Sequence, residues 1–272
     1  MYCYSRFKNK FSKFDIFNIP KGYVILDWSG SAFSFFNTLY IYRQSKDITS
    51  LGNSGWILSL LMTSLFISGA TQYYAMFKNK GIYTTYLTFF PIIIVEIMFL
   101  SIVTNGTSLI LIAICLIANV FFSAFRGDLM GHGKLQTASI WYMLEQVLRL
   151  LFIIFLTNIG MIINEAILFS STIVYISLAL AIIIILIYKN IEFKVNISIE
   201  NIGEAVWYSF VHIGIFFALN GDVLSLKNLS IIKGDFVLIK PWGQVLAIIF
   251  TPLINIYLLS IKNNNSTTKI KY

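Results

Sequence analysis

The chain has 272 residues, 57% of them hydrophobic and 12% charged, with a net charge of +8 and a mean hydropathy of +0.78. That balance excludes an ordinary soluble globular domain and predicts a polytopic membrane protein, with no polar stretch long enough for a separate soluble core. The positive charge is spread along the connections, where an anionic leaflet attracts basic side chains, so membrane lipids are the expected partners and nucleic acid is not.

Residues 1–21 open with "MYCYSRFKNKFSKFDIFN", in which Lys and Arg interleave with aromatics as in a basic interfacial segment. No A-x-A-like site ends the first apolar run, so a cleavable secretory signal is not expected. Eight apolar runs follow, near Gly22 to Tyr42, Gly55 to Phe77, Ile82 to Thr104, Thr107 to Phe125, Thr137 to Asn158, Gly160 to Tyr188, Ala205 to Leu226 and Phe236 to Ser260. Each approaches the roughly 20 residues that cross a hydrocarbon core as helix. The runs are continuous instead of alternating, which predicts an all-α integral membrane protein and not a transmembrane barrel.

Orientation follows from the Lys and Arg of alternate connections. One set holds Arg6, Lys8, Lys10, Lys13, Lys21, Lys78, Lys80, Arg126, Lys134, Lys189, Lys194, Lys262, Lys269 and Lys271; the other holds Arg43, Lys46, Lys227 and Lys233. Fourteen against four predicts a cytoplasmic-membrane protein with both termini in the cytoplasm.

Enzyme and cofactor motifs are not legible, and the chain is not expected to be an enzyme or to carry a cofactor. Cys3 and Cys115 fall in different environments, so no disulfide is expected between them, and His132 and His212 stand without a second ligand at metal-binding spacing. There is no phosphate-binding loop, dinucleotide glycine pattern or hydrolase nucleophile elbow. A membrane-embedded enzyme of polysaccharide assembly would be expected to show a sizeable loop or an interfacial acidic cluster. The internal connections reach only about 16 residues once the spans are set aside. A purely structural membrane subunit stays open as an alternative.

Ionisable residues inside the runs carry the functional reading. Asp27 and Asp222 lie toward helix ends, where water reaches them, and are the weaker candidates for ion coupling. Glu96, in "PIIIVEIMFL", has no charge one turn away; it is either a proton- or cation-coupling site or a carboxyl bonded to a neighbouring helix. In the fifth run, "WYMLEQVLRLLFIIFL", Glu145 and Arg149 stand at i, i+4 with the acid first, the favourable orientation for a pair on one helix face. A lone charge at a helix centre costs about 2.5–3.5 kcal/mol, so both should face the protein interior. Trp141 and Phe152 extend that face, while Leu144, Leu148, Leu151 and Phe155 offer apolar surface to neighbours or lipid. Lys240, about four residues inside the eighth run, is a further candidate cation or a snorkelling side chain. Pro91, Pro241 and Pro252 can kink their helices.

From Phe125 to Gly160 the chain reads "FRGDLMGHGKLQTASIWYMLEQVLRLLFIIFLTNIG": a helix ending at Arg126, a glycine-punctuated turn, a lysine, then the fifth span. Arg126, Gly127, Gly131, Gly133, Lys134, Ser139, Glu145 and Arg149 resemble the helix 4 to helix 5 junction of the oligosaccharide flippases. These form the polysaccharide-exporting branch of the superfamily that also holds the multidrug and toxin extruders. Leu135 replaces the aromatic residue that often follows the basic one.

The resemblance implies a MATE-like fold, in which two six-helix lobes rock about a central cavity that passes a lipid-linked oligosaccharide on a polyprenyl pyrophosphate. It would divide this chain into a first lobe (22–189), a cytoplasmic linker (190–204), two helices of a second lobe (205–260) and a polar cytoplasmic tail (261–272). Members have twelve to fourteen helices, so an eight-helix chain is expected to be a truncated or split member, a non-transporting fragment, or one whose missing helices come from another chain. On this reading Arg149 grips the pyrophosphate, which a guanidinium matches bidentately, and Glu145 holds it until substrate competes. The alternative is a buried pair that fixes the register of the fifth helix.

Overall fold

The computed structural model describes residues 21–45, 57, 67–104, 106–190, 193, 195–228, 253–255 and 257. Among these residues helices alternate with short turns and there is no strand, as lipid demands of any backbone that cannot borrow hydrogen bonds from water. The helices are α1 (Lys21–Gln44), α2 (67–78), α3 (Ile82–Val103), α4 (Gly106–Gly131), α5 (Leu135–Asn158), α6 (Ile163–Tyr188) and α7 (Ile199–Asn228). By length and composition α3 to α6 can each cross a membrane. α1 is also 24 residues long but carries Asp27, Ser29, Ser31 and Ser34. Most of the second and eighth predicted runs, the opening segment, Lys240 and the tail lie outside the described residues.

Two element boundaries differ from expectation. α4 does not end at Arg126; it continues to Gly131, so Gly127 is helical and not part of a turn. The stop comes from Gly133, whose φ of 75° belongs to the left-handed region. The Gly133 N–H bonds the Met130 carbonyl (3.0 Å) and the Lys134 N–H bonds that of Leu129 (2.8 Å), the paired capping bonds of a Schellman turn. The α5–α6 turn repeats this at Gly160, with φ 90° and bonds from Gly160 to Thr157 and from Met161 to Leu156, each 3.1 Å. At the other discrepancy, α7 begins at Ile199, where Ser198 Oγ accepts the Asn201 N–H (3.1 Å) in place of a backbone partner. The helix therefore takes up the end of the stretch expected as linker.

Packing runs α1 along α5, α4 along α6, α5 beside α6, and α3 beside α4, with α7 against α3. Since lipid is as apolar as leucine, association between spans depends on close contact and polar bonds more than on burial. Glycine provides the contact. A Cβ at Gly127 would collide with the Gln72 carbonyl oxygen and one at Gly131 would lie 3.0 Å from that of Met76, so this i, i+4 pair brings α4 against the backbone of α2. Gly30 does the same for α1, where a Cβ would stand 2.7 Å from the Tyr142 ring. At the far end of that helix pair the Tyr40 and Thr157 hydroxyls hydrogen-bond at 2.7 Å.

The main core forms between α4, α5 and α6, where Phe122 and Phe125 meet the Trp141 ring edge-on (6.5 and 5.4 Å between centroids) and Phe122 meets Tyr175 at 6.1 Å. A second cluster joins Ile67 and Tyr74 of α2 to Phe89 and Ile93 of α3, Leu116 and Val120 of α4, and Ala205 of α7. Outward, Val95, Met98, Phe99 and Ile102 of α3, Leu151 and Phe155 of α5, and Ile184 and Ile187 of α6 are exposed. In water so much apolar surface would be a liability; on membrane-crossing helices it is the face that meets acyl chains.

Candidate functional site

Along α5, Ser139, Tyr142, the neighbours Glu145 and Gln146, and Arg149 follow at steps of three or four residues, a spacing that gathers them on one stripe of the helix. Glu145 and Arg149 are 4% and 8% exposed, so both turn away from lipid as the charge argument requires. Arg149 Nη1 lies 3.7 Å from Glu145 Oε1. The same oxygen accepts hydrogen bonds from the Tyr175 hydroxyl of α6 (2.6 Å) and from Gln146 Nε2 (2.9 Å). Trp141 and Phe152 pack on the main core with Leu148, whereas Leu144, Leu151 and Phe155 face outward. The pair thus sits among α4, α5 and α6, in the electrostatic reach of Cys115 and Tyr175. Two polar atoms of the stripe, Arg149 Nε and Gln146 Oε1, are buried without a hydrogen-bond partner.

The other end of the stripe meets α1. Ser139 Oγ donates to Asp27 Oδ1 (3.4 Å), and Ser31 of α1 lies in the neighbourhood of the Tyr142 hydroxyl. Asp27 is 4% exposed, far more enclosed than a residue near a helix end should be. The half-buried Arg126 of α4 supplies opposing charge in its neighbourhood without direct ion-pair contact. Its guanidinium carbon lies over the rings of Tyr142 (4.7 Å to the centroid) and Phe122 (5.8 Å), a cation–π arrangement, and its Nε has no hydrogen-bond partner.

Asn255 completes this region. Its Oδ1 accepts from the Tyr73 hydroxyl of α2 (2.8 Å), and its Nδ2 donates to the Tyr23 hydroxyl of α1 (3.3 Å). Tyr23, Tyr73 and Asp27 share one electrostatic neighbourhood with Arg126. Groups from α1, α2, α4, α5 and residue 255 therefore converge where an anion could be held by Arg126 and oriented by hydroxyl and amide groups. Of these residues the sequence singled out Asp27, as a weaker coupling candidate, and Arg126 and Ser139, as part of the junction resemblance. It did not single out Tyr23, Tyr73, Tyr142 or Asn255.

Glu96 and Lys134 stand apart from this region. Glu96 is 6% exposed in α3 and neither of its oxygens has a hydrogen-bond partner, so of its two readings the one that bonds it to a neighbouring helix is not met. Asp222 lies in α7. Lys134 is exposed at the start of α5. Gly127 and Gly131 of the junction are helix-packing residues and Gly133 is its capping residue. Among the described residues no three His, Cys, Asp or Glu side chains gather as a metal site would require. No family model, no curated protein and no solved structure matches this chain.

Proposed function

We propose that the chain is a flippase-like membrane transporter that moves lipid-linked oligosaccharide across the cytoplasmic membrane for polysaccharide assembly. In this reading α1 to α6 form the first lobe of a MATE-like bundle, α7 and the segment around Asn255 belong to a second lobe, the bundle has eight spans, and both termini are cytoplasmic. The observation that carries it is the convergence of Asp27, Arg126, Tyr23, Tyr73 and Asn255 from separate elements onto one interior region. Buried ionisable groups inside membrane helices are costly and mark pathways for charged cargo. The resemblance at the helix 4 to helix 5 junction supplies the class of cargo, a sugar on a polyprenyl pyrophosphate.

Within this proposal the roles shift along the stripe. Arg149 is enclosed with Glu145 and Tyr175 and acts as the register lock of α5. Arg126, half-buried and held by aromatic faces, is the head-group contact, and Asp27 keeps it poised until the pyrophosphate displaces that weaker attraction. The test is translocation of a fluorescent polyprenyl-pyrophosphate oligosaccharide in vesicles reconstituted with the full chain. Flux above empty vesicles is expected, with Arg126→Gln reducing it at least tenfold while thermal stability in detergent stays close to that of the unaltered chain. Flux equal to empty vesicles rejects the transport reading; full flux in Arg126→Gln rejects the assigned contact.

A further inference from the structure

α3 and α6 do not close against each other. Between them, floored by α4, runs an apolar groove of about 660 Å³ whose walls include Tyr86, Ile114, Phe121, Leu180, Ile183 and Ile187. On α6 it extends from Ile176 to Ile187, which at 1.5 Å per residue is about 16 Å along the helix axis. Half of a hydrocarbon core is about 15 Å. The groove is therefore one leaflet deep: it begins near the helix middle and ends at the start of α3 and the end of α6. A spanning helix from another protein would need a seat along the whole of α6, so the dimensions select a lipid chain from a single leaflet.

This end is lined by aromatic rings. Tyr83 and Phe193 pack at 4.5 Å between ring centroids, and the segment carrying Phe193 is pinned to α3 by the Asn196 N–H bonded to Thr84 Oγ1 (3.2 Å). Two exposed lysines flank this end in sequence and structure, Lys80 just before α3 and Lys189 capping α6. On the charge count this is the cytoplasmic end, where lipid head groups are the more negative.

We propose that the α3–α4–α6 groove binds one acyl chain of an anionic phospholipid of the cytoplasmic leaflet, with its phosphate at Lys80 and Lys189. The site depends on the membrane-spanning character of these helices and not on what is transported, so it stands or falls separately from the flippase reading.

The experiment uses the full chain in phosphatidylcholine vesicles containing a small fraction of phosphatidylglycerol with a photoreactive diazirine at mid-chain. After irradiation, adducts are mapped by peptide mass spectrometry. Insertion should concentrate in 114–121 and 176–187, be displaced by unlabelled phosphatidylglycerol and not by phosphatidylcholine, and fall about fivefold for each of Lys80→Gln and Lys189→Gln. Labelling of the exposed α3 face at Phe99 and Ile102 should stay unchanged. Ala179→Trp should fill the groove and remove its adducts; the lysine variants, on exposed positions, decide the matter if that variant does not fold. Groove labelling no stronger than at Phe99, equal displacement by phosphatidylcholine, or insensitivity to both lysine substitutions overturns the proposal.

Discussion

The two ends of the α5 stripe use the same kinds of residue to opposite effect. At Glu145 and Arg149, acid and base stand one turn apart on one helix, and the carboxylate is filled by Tyr175 and Gln146. At Asp27 and Arg126 the charges come from different helices, stop short of ion-pair contact, and are surrounded by hydroxyls that belong to still others. The pair within α5 keeps its own geometry however the helices move, and its carboxylate is tied to α6 through Tyr175, so it can anchor. A pair shared between helices changes with their arrangement, and only such a pair can report or drive that arrangement.

This contrast can be broken at several points. The largest effect should come from Arg149→Ala, which leaves a buried carboxylate without its cation and should cost about 3–5 kcal/mol. Thermal unfolding in detergent reads it. The double variant Glu145→Gln with Arg149→Met should regain most of the loss, and failure to do so would mean that the pair has a role beyond register. Next comes Gly127→Val, which adds bulk where α4 touches the α2 backbone beside Arg126. Overpacking of this kind costs about 1–3 kcal/mol, and flux should fall with stability because the second cluster is built across that contact. Gly203→Ala is the counterpart: α7 has open space there, so stability should hold or rise by up to about 1 kcal/mol.

Smaller still is Tyr73→Phe, which removes the donor to Asn255 Oδ1 and should cost about 0.5–1.5 kcal/mol on the same unfolding assay. A much larger loss would show that the shared cluster anchors the bundle as firmly as the pair within α5. The smallest effect is expected from Lys78→Gln. Its ion pair with Glu204 joins α2 to α7 with about a third of each side chain exposed, where such pairs contribute about 0–1 kcal/mol.

What was legible in the sequence was whatever a single helix contains. Glu145 and Arg149 could be placed on one inward face because 3.6-residue periodicity alone relates them, and continuous apolar runs suffice for an all-helical bundle. The α4 boundary was misread because Gly127 has the composition of a turn; its purpose emerges only when the Gln72 carbonyl is seen against it. Asp27 was taken for a water-exposed end residue although α5 covers it. Tyr23, Tyr73 and Asn255 were missed because their partners are 182 and 232 positions apart in the chain, and a tyrosine in an apolar run looks like an interfacial anchor. The spacing of Ser139, Tyr142, Gln146 and Arg149 was the available clue, a polar stripe longer than one ion pair needs.

The glycine contact between α4 and α2 has a mechanical side. Two backbones in touch cannot slide past each other without lifting apart, because no flexible side chain lies between them to yield. α2 and α4 therefore travel as one beam. α7, by contrast, is held to that beam through side chains: Ala205 in the second cluster, and Lys78 to Glu204 and the His212 ring over Gly69, of which the last two are fastenings that can let go and re-form. Any large excursion of this bundle is thus steered toward the seam along α7, and the first residues to part company there are the ones a cross-link should be designed to tie.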